Sequence, residues 1–218
     1  MHFGAKVLLV LIPAGLYLGL AILAFGGAAA FFAQPALTAL AIITGVAVAL
    51  ALFTRGNLSA GDREDRSNRW VLPVFFGLGI LDGFLPAWCD RRNLATVDGD
   101  AVRWIGVALY ALGNVLRIWP VFVLGERFSG LAAIQRGHVL ATTGIYRFVR
   151  NPSYLGMIVT SLGWGLGFRS LVGVVLALML LPPLIARIRS EEALLSAEFG
   201  DAYQAYRART WRLAPFLY

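Results

Sequence analysis

The chain has 218 residues, of which 59% are hydrophobic and 14% charged. A soluble domain carries about 25% charged residues, so this composition describes an integral membrane protein. The net charge of +7 does not point to nucleic acid, because the arginines behind it sit in short loops between apolar runs and serve to orient a membrane protein.

From Val7 to Thr54 there is no charged side chain. That is too long for one crossing, which takes roughly 20 residues, and Gln34-Pro35 divides it because proline starts or ends a helix readily. Backbone groups in lipid must be satisfied within the protein, and no period-2 alternation supports a barrel. The expected architecture is an all-α integral membrane protein of about six transmembrane helices: Val7–Phe25, Ala36–Phe53, Trp70–Trp88, Val102–Leu124, Ser153–Leu166 and Leu171–Ala186. "GFRS" joins the last two as a tight hairpin. The stretch "RIRSEEALLSAEFGDAYQAYRART" reads as a C-terminal amphipathic helical segment broken at Gly200. Lys6 before an apolar run is a partial match to a signal peptide, but the run is long and the first helix is expected to be retained.

With the N-terminus placed inside, Lys6, the arginines of 55–69 and 125–150, and those after Ala186 fall on the inner face. Arg91, Arg92, Arg103 and Arg169 fall outside. This asymmetry predicts cytoplasmic termini. High Ala, Gly and Arg with one Lys fits a GC-rich prokaryotic genome, and hence a multi-pass protein of the cell inner membrane. Cys89 is alone and the histidines are His2 and His138, so no intramolecular disulfide and no metal site are expected.

The polar stretch "GIYRFVRNPSYLG", Gly144–Gly156, lies against the start of the fifth span. Asn151 suits an N-cap and Pro152 the first helical position, and the free N–H groups there favour anions. Arg147, Arg150, Tyr146 and Tyr154 also suit plain interfacial anchoring. In "RIRSEE", Arg187 and Glu191 are four apart and share a helix face. Glu is a poor membrane anchor, and a cationic ligand would account for it. Arg117 lies inside the fourth span, where a charge is a functional candidate. Asp82 is read as structural, and "GWGLGF" as helix packing or a turn rather than a cofactor loop, since no strand precedes it and no acidic residue follows.

The pieces "LRIWPVFVLG", "HVLATTGIY", "RNPSYLG", "RIRSEE" and "FGDAYQAY" stand in the order and spacing of the isoprenylcysteine carboxyl methyltransferase family and its phospholipid-methyltransferase relatives. The last hundred or so residues resemble that family. The resemblance implies a non-Rossmann methyltransferase, with 1–100 as N-terminal transmembrane helices and 101–218 as the catalytic region with its cofactor pocket. S-adenosylmethionine would be lined by His138, Val139, Leu140, Ala141 and Tyr146, and contacted by Asn151, Pro152, Ser153 and Tyr154. Glu191 would meet its cationic end. Arg187 would meet the acceptor, Glu192 is the nearest candidate base, and Arg117 joins them as a catalytic candidate. Asn151 departs from the family pattern, which has His there in many relatives.

The implied activity is methyl transfer to a lipophilic small molecule or lipid, first of all to a carboxylate. A phospholipid amine or a thiol is the alternative acceptor. A different class is a non-catalytic transporter or subunit, although no inverted repeat supports a transporter. No nucleic-acid partner is expected, and the sequence leaves the oligomeric state open.

Overall fold

The computed structural model describes residues 3–54, 63–125, 131–134 and 139–215. Helix α1 runs Phe3–Phe25, a short α2 covers Ala28–Phe32, and α3 runs Pro35–Phe53. They are followed by α4 (Val71–Arg92), α5 (Asp100–Leu124), α6 (Pro152–Gly167), α7 (Leu171–Met179), α8 (Leu181–Phe199) and α9 (Asp201–Ala208). Among the described residues five helical segments are long and apolar enough to cross a membrane. The remaining expected span is α6, whose 16 residues reach about 24 Å. The protein is thus an all-α integral membrane protein. Among the described residues the one sheet is a two-residue ladder, β1 (Arg63–Glu64) antiparallel to β2 (Ala133–Ile134).

A belt of exposed apolar side chains, among them Ile12, Leu23, Ile42, Phe53, Phe76, Ile105 and Trp119, is the surface expected to face lipid. Inside, Trp164 is fully buried. Its ring centroid lies 4.6 Å from that of Tyr17, 5.4 Å from Tyr110 and 5.1 Å from Phe168, in tilted and edge-on contacts, so one side chain of α6 ties α1 and α5 together.

Helices α5 and α6 meet along glycines. A Cβ on Gly163 would lie 2.2 Å from the Tyr110 nitrogen, and one on Gly113 2.4 Å from the Thr160 nitrogen. Small residues let membrane helices approach backbone to backbone, which is what "GWGLGF" does here.

Two predicted boundaries move. Helix α4 continues through Asp90, Arg91 and Arg92 because Asp90 is neutralised internally. Arg103 grips it with two nitrogens at 2.6 and 3.0 Å, and Arg169 donates to it at 2.8 Å. The last span is not one straight helix: α7 stops at Met179 and α8 begins at Leu181. Pro182 and Pro183 have no N–H for the carbonyls of Leu178 and Met179, so the ladder breaks there. Beyond the break α8 runs without interruption past Ala186 to Phe199. Gly200 ends it with φ +50, the break expected there.

The loops gather at the end of the bundle where α6 begins. Ser190 Oγ donates to Asp65 at 2.6 Å, Asn68 donates to the Ala186 carbonyl at 3.3 Å, and Trp211 N–H donates to the Phe148 carbonyl at 2.8 Å. The donors from Ser190 and Ser67 lower the Asp65 carboxyl below its usual range. The clasp around α8 is therefore charged and strongest above acidic pH.

Candidate functional site

The stretch from Gly144 to Gly156 folds as predicted in outline. A 3-10 turn covers Gly144–Arg147, Gly144 has φ +61, and Pro152 opens α6. Asn151 holds the N-cap position but its side chain does not cap. Its amide instead donates to the Arg212 carbonyl at 2.8 Å. A single side-chain donor is spent on anchoring the C-terminal segment, which corrects the capping role expected of Asn151.

Leu140, Ala141, Tyr146, Asn151, Pro152, Ser153, Tyr154, Glu191 and Glu192 all line one cavity of about 150 Å³. The structure therefore brings together most of the residues singled out. Val139 is 54% exposed and does not line it. His138 lies outside the described residues. Arg187 does not line it but contacts Tyr154 and Glu191, which do, and Arg117 lines a separate cavity deeper in the bundle.

At the inner edge Glu191 organises two groups. Its Oε1 accepts from the Tyr154 hydroxyl at 2.6 Å and from Arg187 Nε at 2.8 Å, and Arg187 Nε also lies 3.2 Å from the Tyr154 hydroxyl. The i, i+4 spacing on α8 brings Arg187 and Glu191 together. The Arg187 side chain is 4% exposed, against 25% for Glu191, so the carboxylate is the member that faces the cavity.

Glu192 is used differently. Its Oε1 accepts from Arg150 Nε at 2.9 Å and its Oε2 from Arg212 Nε at 2.9 Å. Arg150 also donates to the Arg207 carbonyl at 3.1 Å, to the Thr210 hydroxyl at 3.2 Å and, more closely, to the Thr210 carbonyl. Both Glu192 oxygens are engaged by guanidinium donors, which makes it a clamp for the C-terminal segment.

Tyr203 and Tyr206 complete the wall. The spacing of three in "DAYQAY" puts them on one face of α9, a signal present in the sequence that had been given no role. The Tyr206 hydroxyl donates to the Tyr146 carbonyl at 2.8 Å. Burial pushes the Tyr206 phenol up to about 12 and those of Tyr146 and Tyr203 higher still. All three thus stay protonated donors at neutral pH. The Tyr203 hydroxyl is buried with no hydrogen-bond partner among the described residues, and leaving such a group unpaired costs about 1–3 kcal/mol.

The donor set therefore fits a particular kind of molecule. It offers one carboxylate facing the cavity, an unpaired phenol, a guanidinium at Arg150, and apolar walls from Leu124, Leu131, Leu194 and Leu195. A ligand with a positive charge, hydrogen-bonding groups and an apolar part would meet the carboxylate, the phenol and the apolar walls. Among the described residues no group of His, Cys, Asp and Glu could hold a metal ion.

Comparison with known proteins covers the same region. A model of the phospholipid methyltransferase family matches residues 101–202. The protein-S-isoprenylcysteine O-methyltransferase of Schizosaccharomyces pombe is 38% identical over 105 residues, which are 45% of this chain and 43% of that protein. The enzyme of the same name from Dictyostelium discoideum is 25% identical over 143 residues, 64% of this chain and 60% of that protein. The one from Mus musculus is 30% identical over 141 residues, 61% of this chain and 50% of that protein. The chain thus spans about half the length of the curated relatives it matches. A solved structure of the eukaryotic intramembrane Ras methyltransferase, isoprenylcysteine carboxyl methyltransferase, superposes with a TM-score of 0.57. That match covers 94% of this chain and 74% of the other at 20% identity, a likeness of fold.

Proposed function

We propose that this chain, which a model of the phospholipid methyltransferase family matches over residues 101–202, transfers a methyl group from S-adenosylmethionine to a lipophilic carboxylate in the membrane. The observation that carries this reading is the Glu191 carboxylate, held by Tyr154 and Arg187 at the edge of a cavity lined by the matching motif residues. S-adenosylmethionine supplies, when bound, a methyl group already activated on a sulfonium. In this reading Glu191 provides the negative charge for that cation, and Asn151, Pro152, Ser153 and Tyr154 form the floor at the start of α6. Leu140, Ala141, Leu194 and Leu195 exclude water. The catalytic region is 101–218, and the helices of 1–100 support it.

With the donor activated, the protein's task is alignment in a dry site. A carboxylate acceptor has a pKa of about 4 and is ionised at neutral pH, so it needs no base. The engagement of both Glu192 oxygens favours such an acceptor over an amine or thiol, which would require a proton to be removed. Arg187 orients the acceptor through charge-assisted bonds, its plane fixed by Nε contacts to Glu191 and Tyr154.

The test is a methyl-transfer screen with labelled donor over membrane lipids and small lipophilic carboxylates, amines and thiols. Labelled methyl esters are the expected product. Arg187→Lys should keep donor affinity and lower kcat/KM for the acceptor by about 100-fold, because an ammonium lacks the planar fork that suits a carboxylate. A labelled amine, or normal turnover by Arg187→Lys, would replace the carboxylate reading with the amine one. Donor that fails to bind at all would favour a non-catalytic membrane subunit.

The proposal places the cavity and both termini on the cytoplasmic side of the inner membrane. The basic residues in the loops at that end support it. A cysteine at Ser67 should resist an impermeant thiol reagent in intact cells and one at Thr96 should react. The native Cys89 is buried and gives little background. The reverse pattern would invert the orientation.

A further inference from the structure

Residues 63–68 stand before the family match, which begins at residue 101, yet they hold two walls of the candidate site. Arg63 and Glu64 pair with Ile134 and Ala133 in the β1–β2 ladder, and the Asp65 N–H donates to the Ala132 carbonyl at 3.0 Å. Ala133 and Ile134 line the cavity. Strand β2 and the 3-10 turn Arg66–Trp70 both pack on α8.

On α8 the polar contacts from this segment fall on one turn. Ser190 Oγ donates to Asp65 Oδ2 at 2.6 Å, and Asn68, 6% exposed, donates to the Ala186 carbonyl at 3.3 Å. Asp65 is itself fixed, because its Oδ1 accepts from the Ser67 N–H at 3.0 Å and from the Ser67 hydroxyl at 2.6 Å. That turn carries Arg187 and leads directly into Glu191.

Helical geometry explains why this turn matters. Successive residues lie about 100° apart around an α-helix, so the stripe of Arg187 and Glu191 runs between two others. One flank is the stripe of Ile188 and Glu192. It is secured by the core, where Ile188 is fully buried, and by Arg150 and Arg212 on Glu192. The other flank is the stripe of Ala186 and Ser190, which Asp65 and Asn68 secure. Helix α7 cannot set the rotation of α8 through a continuous ladder, because the two helices part at Leu180, ahead of Pro182 and Pro183.

We propose that Asp65 and Asn68 are positioning residues of the site: they fix the rotation of α8 and thereby aim Arg187 and Glu191, while the same segment holds the 132–134 wall. The N-terminal half therefore shapes the site itself. That this serves methyl transfer rests on the proposed function, whereas the hold on α8 does not.

The experiment reads both in the full chain in nanodiscs. Spin labels on cysteines introduced at Phe53 and Ala197, both exposed, report the placement of α8 as a distance distribution, with no methyl donor present. Ser190→Ala and Asp65→Ala should each shift or broaden it. Asp65→Asn should restore it, since one oxygen still accepts from Ser67 and the amide can donate to Ser190 Oγ. In the unlabelled chain kcat/KM should fall about tenfold in Ser190→Ala and at least as far in Asp65→Ala. The double variant should be no lower than Asp65→Ala, because the two residues share one contact, and Asp65→Asn should recover turnover. Unaltered distances in both alanine variants would overturn the proposal. So would altered distances with unchanged turnover, since α8 would then turn without moving the site. A wild-type chain that neither binds nor uses S-adenosylmethionine would instead refute the methyl-transfer reading, and altered distances would then still uphold the hold of Asp65 on α8.

Discussion

Glu191→Gln is expected to lower affinity for S-adenosylmethionine by roughly 10- to 150-fold, the equivalent of losing one charge-assisted contact of about 1.5–3 kcal/mol, with the thermal midpoint nearly unchanged. Glutamine keeps the volume and one carbonyl oxygen for the donors from Tyr154 and Arg187, so only the charge is removed. Glu191→Ala differs in kind. It takes the acceptor away from both Tyr154 and Arg187, so it lowers stability as well as donor affinity. Calorimetry on the purified protein, run beside thermal unfolding of both variants, separates the two effects. Normal donor affinity in Glu191→Gln would mean that the carboxylate is only a structural partner of Arg187.

The distinction between charge and support also explains what was legible in the sequence. Hydropathy and proline placed the membrane helices to within a few residues: Ser153–Leu166 is found as Pro152–Gly167 and Val102–Leu124 as Asp100–Leu124. Local spacing was enough to pair Arg187 with Glu191, since four residues on a helix are neighbours whatever the fold. It failed where a contact is made across the chain. Hydropathy ended α4 early because it cannot see Arg103 and Arg169 closing on Asp90. Glu192 was open to reading as a base because its partners Arg150 and Arg212 lie 42 and 20 residues away. Asn151 was expected to cap on the strength of its position, but the Arg212 carbonyl took its amide. Arg117 stood out as a charge in a span, and Asp82, read as structural, accepts from the Tyr17 and Ser161 hydroxyls at 2.8 and 3.2 Å.

The same logic gives an effect of similar size from a residue that touches no ligand. Gly156→Ala is expected to lower kcat/KM by about 100-fold, although alanine normally stabilises a helix over glycine by roughly 0.5–1 kcal/mol. The added Cβ would meet the Arg117 nitrogen at 2.6 Å, the Gly113 carbonyl at 2.7 Å and the Leu116 carbonyl carbon at 2.9 Å. All three are backbone atoms of α5, so no side chain can swing aside. Helix α6 must therefore move away from α5 at its first turns. Those turns carry Pro152, Ser153 and Tyr154 into the cavity, and Tyr154 in turn holds Glu191. A displacement of about 1 Å in a positioning element is enough to lose two orders of magnitude in rate. Gly77→Ala serves as the control, because a Cβ there meets nothing within 4 Å and should leave turnover unchanged. If Gly156→Ala turns over like Gly77→Ala, the glycine seam does not set the geometry of the site, and the start of α6 is positioned by the C-terminal clamp of Arg150, Glu192 and Arg212 instead.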